Sequence, residues 1–462
     1  MAHFQRGLAA RQGQPVDEQT AALSFGLGRA EAASLMPDEA VSHLATAFDY
    51  YVQAGDVQRS LAVASVPFSM LRGDELMSPL VERALQLVPP ESVEAGWLLC
   101  MRLRYVGVRR QEYEAARTLA QRAVAIARSA GDQRLELRAW ATWANVCWHN
   151  FQAEDMEQAA QQALCLLEAV DSPWDETMTR QALTTRWLWI DDGPAAMALA
   201  TAYVAAAERL RDRERLRSAY LGVHFISRLR GDWARAREFS DKALAANPAG
   251  GLALGYPVLL ESQLGNLDQA EAYLQQRRPR EHAGPYLLAY EIPAWLTADA
   301  ARITGNRRWL AEARDDAERA ISQPGIPPSF RYQARQGLGL VAAEVQDAAL
   351  AAEQYAAMEP VHSSLHIRIY ARYMAIIAQA AGLQDKAVAY FEDALAFTRR
   401  AGYRAELAWT CCDYADLLRQ RNGPGDQEKA AALLDEGLAI ARELGMRPLM
   451  ERILARRKIL KA

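Results

Sequence analysis

Apolar positions recur along most of this chain three and four residues apart, over stretches too long for strands and with no sustained alternation. The pattern predicts helices separated by short turns. The segment RLRGDWARAREFSDKALAANP, residues 228–248, shows the unit from which the rest is built. A Gly-Asp turn at Gly231 is followed by Trp233, then by Ala236 and Ala243, and finally by Pro248. Ala236 and Ala243 stand seven residues apart and share one face of the helix after the turn. Small side chains there let a neighbouring helix approach closely. Proline, which has no backbone donor, ends that helix.

The offsets recur. Gly382 has Ala387 and Ala394 in the same places, with Phe391 between them. Gln111 replaces the glycine, yet Ala116 and Ala123 keep the small positions. Gly193 carries Ala198 and Ala205 at these offsets, and Gly425 carries Ala430 and Gly437. Gly265 keeps Ala270 but puts Arg277 at the second small position. Weaker copies surround Gly73, Glu154, Gly305 and Gln346. The turns lie 34 to 43 residues apart, which is the period of stacked helix pairs with no core of their own.

This residue pattern resembles the tetratricopeptide repeat. It implies an all-α fold, a right-handed α-solenoid of helix-turn-helix repeats, about ten in number by the period, over residues 21–455. Residues 1–20 are polar and without a clear period and read as poorly ordered, and 456–462 read as a basic tail. The pattern breaks at 248–257, 277–285 and 322–330, so a bend is expected near 277–330.

Composition narrows the function. With 51% hydrophobic and 24% charged residues the chain is an ordered protein. A net charge of −4 supplies no basic field for nucleic acid or an anionic membrane. The five cysteines are odd in number and form no CxxC pair, so a reducing cytoplasm is expected rather than a disulfide framework. The N-terminus lacks the apolar core of a signal peptide. No apolar run reaches the roughly 20 residues that span a bilayer, and no membrane association is expected.

Motifs for catalysis are missing from the sequence. It contains no phosphate loop, dinucleotide fingerprint, HExxH, nucleophile elbow or paired CxxC, so no enzyme activity and no cofactor are expected. His362 and His366 stand four apart with Glu359 before them, but zinc needs three or four ligands and no metal is expected. RGD occurs at 72–74 and 230–232 and reads as turn chemistry. The C-terminal Arg447, Arg452, Arg456, Arg457, Lys458 and Lys461 read as a solvated helix end favoured by the helix dipole. No helix-turn-helix follows, so no direct nucleic-acid binding is expected.

Counting back six residues from four successive turns gives Tyr105, Trp148, Trp187 and Phe225. In a tetratricopeptide unit that position faces the concave surface. The four aromatics would then outline a groove for a protein partner, a peptide or a small inducer. Packing between repeats is the alternative, and Trp143 and Trp189 lie nearby in sequence.

Three stretches carry a wider resemblance: FGLGRAEAASL (25–35), AFDYYVQAGDVQRSLAVA (47–64) and LAWTCCDYADLLRQRNGPGDQEKAAALLDEGLAIARELGMRPLMERIL (407–454). They resemble the tetratricopeptide arm of bacterial LuxR-type regulators, which join a signal-transduction NTPase, a helical arm and a C-terminal helix-turn-helix. Related arms occur on nucleotide-cyclase fusions. The resemblance implies that the arm senses an inducer or partner. Neither the NTPase motif nor the helix-turn-helix occurs in this sequence, so only a sensing or scaffolding role carries over, in a piece of a larger regulator or in a stand-alone adaptor. A peptide-binding adaptor of the co-chaperone kind and the arm of a cyclase fusion remain alternatives. The oligomeric state stays open, self-association through end repeats included.

Overall fold

The computed structural model describes residues 1–69, 71–184, 192–248, 251–276, 293–365 and 368–461. Among them all regular structure is helical and no strand occurs. The chain divides into two compact units. One comprises Met1–Leu183 with Tyr203–Leu216, the other Thr184–Ala202 with Arg217–Ala462.

Most repeats among the described residues are pairs of helices joined by a residue in the left-handed region, with the second helix starting two residues later. After Gly425 (φ 79) it starts at once, at Asp426. Gly231 (φ 85) precedes Trp233–Ala246, and Gly382 (φ 77) precedes Gln384–Ala401. Gln111 (φ 59) and Gln346 (φ 58) adopt the same conformation despite carrying a Cβ, at a cost of about 1–2 kcal/mol each. Packing of the pair outweighs that local preference. Behind these turns Ala116, Ala123, Ala236, Ala243, Ala387, Ala394 and Ala430 are buried. Ala243→Leu is therefore expected to overpack its repeat and cost about 1–3 kcal/mol. A urea midpoint equal to that of the unchanged protein would rule this out.

The structure corrects the frame in three places. Gly193 is the first residue of the helix Gly193–Leu210, not the turn before it. Asp192 caps that helix, its carboxylate accepting from the Ala195 amide at 3.0 Å. The frame moves by two residues, so Ala198 and Ala205 are exposed while Ala196 and Tyr203 are buried. The glycine serves close approach instead: a Cβ there would lie 2.2 Å from the Ala401 carbonyl oxygen. Near Glu154 the turn is Phe151 (φ 58), which buries Met156 and Ala163. Gly73 lies inside the helix Leu71–Leu85, so the first RGD is helical and its Asp74 is buried. Arg277 lies outside the described residues. At the N-terminus Ala2–Ala9 form a helix, placed by Phe4, whose ring lies so close to Gly26 that a Cβ there would come within 2.4 Å.

First and second helices differ in burial. Trp233–Ala246, a second helix, buries only Ala236, Ser240 and Ala243. Ala294–Thr304, Ala371–Ala380 and Arg404–Arg421 are first helices and are buried on nearly all sides, as expected of a helix packed between neighbours. In the second unit the final helix, Arg447–Lys461, returns to pack on Gly251–Leu264 and Ala294–Thr304. Arg447 donates to the carbonyls of Leu264 (3.1 Å) and Gly265 (3.3 Å) and to Asn266 Oδ1 (2.8 Å). Trp233 Nε1 donates to the Leu444 carbonyl at 2.7 Å. Arg456 pairs with Asp416 at 2.6 Å and Arg457 with Asp435 at 3.0 Å. The C-terminal arginines are thus bound to carboxylates and carbonyls of this unit rather than solvated as the charge run suggested, while Lys458 is exposed. No helix among the described residues is long and apolar enough to cross a membrane.

Candidate functional site

In the first unit Val93–Arg104 packs beside Gln133–His149. Arg104 pairs with Asp74 at 3.1 Å and donates to the carbonyls of Phe68 (2.7 Å) and Ser69 (3.3 Å). Arg138 pairs with Asp175 and stands over the Trp97 ring at 5.1 Å. Arg215, 3% exposed, stands over Trp174 at 5.2 Å and donates to Gln181, but its Nε and Nη2 have no hydrogen-bond partner. Burial pushes the Asp74 carboxyl up to about 6 against the pull of Arg104, Arg215 and Arg109. Burial, with Arg104 and Arg215 adding to it, lowers His149 to about 3, so its ring is neutral. A cavity of about 20 Å³ lies among Asp74, Arg104, Arg138, Thr142 and Trp174, room for a single water.

A second, larger hollow in this unit holds about 320 Å³ and is lined by Arg117, Gln121, Trp140, Trp143, Asp155 and Gln158. Tyr113 stacks on Trp143 with ring centroids 5.0 Å apart, and its hydroxyl donates to Asp155, which also accepts from Arg117 at 2.6 Å. The hollow falls at the small end of the range for small-molecule sites.

The interior of the second unit is built from its first helices. Phe225, Tyr256, Trp295, Tyr370 and Tyr373 meet edge to face there: Phe225–Tyr256 at 5.8 Å, Tyr256–Trp295 at 6.1 Å, Trp295–Tyr370 at 6.2 Å and Trp295–Tyr373 at 6.0 Å. Beside the rings runs an ion network. Arg372 donates to Glu406 (2.5 Å), Asp413 (2.9 Å) and Asp299 (3.2 Å), and the Tyr373 hydroxyl donates to Asp299 at 2.8 Å. Arg302 reaches Glu344 at 2.8 Å, Asp299 at 3.4 Å and Asp413 at 3.6 Å. Burial works against the Arg372 charge, yet Glu406, Asp299 and Asp413 together hold its guanidinium well above the ordinary value.

Of the four aromatics singled out by spacing, the three among the described residues do not occupy one equivalent position. Tyr105 is half-buried at the start of a π-turn, Tyr105–Arg109. Trp148, also half-buried, meets Phe151 edge-on at 6.1 Å. Because the turn there is Phe151, the residue six before it is the buried Asn145. Phe225 lies in the interior of the second unit, 2% exposed. Trp187 and Trp189 lie outside the described residues. The residues that sequence reasoning missed are Arg228, Trp295, Asp299, Tyr370, Arg372 and Tyr373. Their one sequence signal is one or two charges within otherwise apolar stretches, as in LTADAARI (296–303) and YARYMAIIA (370–378).

His362 is buried and meets Tyr390 edge-on at 5.0 Å, while His366 lies outside the described residues. Among the described residues no group of three or more His, Cys, Asp or Glu side chains stands as a metal site. Cys100, Cys147, Cys411 and Cys412 are buried free thiols, and Cys165 is exposed.

No protein-family model matches the chain, and no curated protein matches it. Among solved structures it is similar to the crystal structure of the APC/C hetero-tetramer Cut9-Hcn1, at 13% identity and a TM-score of 0.33, over 95% of this chain and 90% of that one. A similarity at this score does not extend beyond the helical character already visible in the chain.

Proposed function

We propose that this chain is a non-catalytic binding module, the sensor or scaffold arm of a LuxR-type transcriptional regulatory system. Its ligand is a protein partner, a peptide or a small inducer, with Tyr105, Trp148, Trp187 and Phe225 as candidate contacts. The module acts in the cytoplasm and makes no direct contact with nucleic acid. The repeat architecture supports a binding role, and the likeness of residues 407–454 to the arms of such regulators supports the regulatory one. The observation that carries the reading is Arg215. Its guanidinium is buried against Trp174 with two donor atoms unspent, and a buried donor without an acceptor is costly until something accepts from it.

Arg215→Met tests the role of that arginine. The wild-type chain is expected to retain a host partner in affinity capture, and the variant is expected to lose it at unchanged helicity. Equal capture by both proteins would overturn the assignment to this arginine. An immunoblot of host lysate separates the regulator from the stand-alone adaptor. A band well above 51.3 kDa supports an arm within a larger regulator, and a band at that mass favours the adaptor.

A further inference from the structure

Arg228 lies in the middle of the aromatic interior of the second unit. It is 2% exposed, its guanidinium stands over Phe225 at 5.1 Å, and it donates to Gln263 Oε1 at 3.3 Å. Among the described residues no carboxylate pairs with it. The network acid on the helix Ala294–Thr304, Asp299, is already taken by Arg372, Arg302 and the Tyr373 hydroxyl. His224, whose ring faces Tyr256 at 5.2 Å, is neutral and offers no compensating charge. A buried cation left in this state is among the most expensive arrangements a fold can hold.

The atoms around it share one chemistry. Arg228 Nε, Gln263 Nε2, Trp295 Nε1 and the Ser227 hydroxyl are all buried and without hydrogen-bond partners. Three of these are N–H donors, and the hydroxyl donates as readily as it accepts. Tyr256, half-buried, is the member of this ring cluster that reaches accessible surface. These donors, beside one unpartnered acceptor at His224 Nε2, an unpaired guanidinium and walls of aromatic rings define the complement of an anion.

We propose that this interior is a binding site for a small aromatic carboxylate. A carboxylate matches the planar fork of a guanidinium and takes two of its N–H groups at once. One unpaired cation calls for one negative charge, so a monoanion fits better than a phosphate dianion. The rings of Phe225, Tyr256, Trp295, Tyr370 and Tyr373 supply edges and faces for an apolar, planar body. The site names a ligand class for the small-inducer branch of the function proposed above and rests on that branch. It does not involve Arg215, so the Arg215→Met capture experiment and the test below fail independently.

The test uses the full chain with sodium benzoate as the probe, benzamide as its neutral isostere, and inorganic phosphate as the competing anion. Calorimetric titration is expected to show benzoate binding once per chain, at least about tenfold tighter than benzamide, the scale set by one lost charge-assisted contact. Benzoate is also expected to raise the melting temperature, and phosphate is not. Arg228→Met should abolish the benzoate shift and, without ligand, melt at or above the wild-type temperature, because it removes an uncompensated buried charge at similar volume. Trp295→Phe, which removes one donor and keeps the ring wall, should weaken benzoate several-fold and covers the case in which the arginine variant does not fold. Benzoate binding no tighter than benzamide or phosphate, or undiminished in both variants, overturns the proposal. A lower ligand-free melting temperature for Arg228→Met overturns it too, since the arginine would then be structural.

Discussion

Alanine in place of Arg372 is expected to destabilise the unit containing Arg217–Ala462 by about 3–5 kcal/mol, the range for breaking a buried ion pair from one side. Arg372 is 2% exposed and holds three carboxylates on two other helices. Removing it leaves Glu406 without its ion-pair partner and leaves Asp299 and Asp413 dependent on Arg302 and Arg452, which stand farther off at 3.4 to 3.8 Å. The damage comes from the acids that stay behind, not from the arginine's absence alone. Adding Glu406→Gln and Asp413→Asn to the alanine variant should therefore recover part of the loss. Urea unfolding followed by circular dichroism measures both. A single variant within about 1 kcal/mol of wild type would show that water already reaches these charges.

Why was the repeat legible in the sequence when its interior was not? The turn and small positions are local. Gly231 with Ala236 and Ala243 sets one pair of helices, and the same spacing identifies Gln111 and Gln346, whose left-handed conformation their residue types would not suggest. The frame failed where a glycine had another purpose. Gly193 reads as a turn, yet it is small because the Ala401 carbonyl presses on it from two hundred residues away. Most of the interior contacts are of that second kind. Arg372 meets Asp299 across 73 residues, and Arg447 meets Leu264 across 183. No local spacing encodes such pairs. The aromatic positions show the same limit: Phe225 was found by counting from a turn, but Trp295, Tyr370 and Tyr373 fall at other offsets and join it through the fold.

This difference also bears on what each layer of the structure is for. The second helices repeat a simple packing rule and spend few polar groups. The first helices of the second unit bury an ion network, an aromatic cluster and an unpaired arginine, none of which the repeat requires. An apolar interior would stack the same pairs at lower cost. Chemistry placed where packing alone would be cheaper points to binding as its use, and it is there that substitutions should separate stability from function.

Lowering the pH from 7 to 5 is expected to weaken the second unit more than the first. His224 is fully buried, its Nδ1–H donating to the Ala236 carbonyl at 2.7 Å, and burial lowers it to about 3. A histidine held below its unfolded value stabilises the fold above the unfolded value of about 6.5 and loses that stability as pH falls toward the folded one. At 1.36 kcal/mol per pH unit, the loss by pH 5 is about 2 kcal/mol, and by pH 3 it approaches 5 kcal/mol. His149 imposes the same slope on the first unit, but Asp74 opposes it there. Its carboxyl is raised to about 6, so it contributes stability that is complete below about 3.8 and lost as pH rises through 6. Between pH 6 and 4 it returns up to about 3 kcal/mol to the first unit, while in the second unit Asp241, raised in the same direction but exposed, offsets His224 less. His224→Gln keeps a donor for Ala236 and removes the titration, so its urea midpoint should change far less between pH 7 and 5 than that of wild type. An equal drop in both proteins would assign the acid sensitivity to other groups. His149→Gln should, by contrast, leave the first unit gaining stability over the same interval, because the Asp74 contribution is then unopposed.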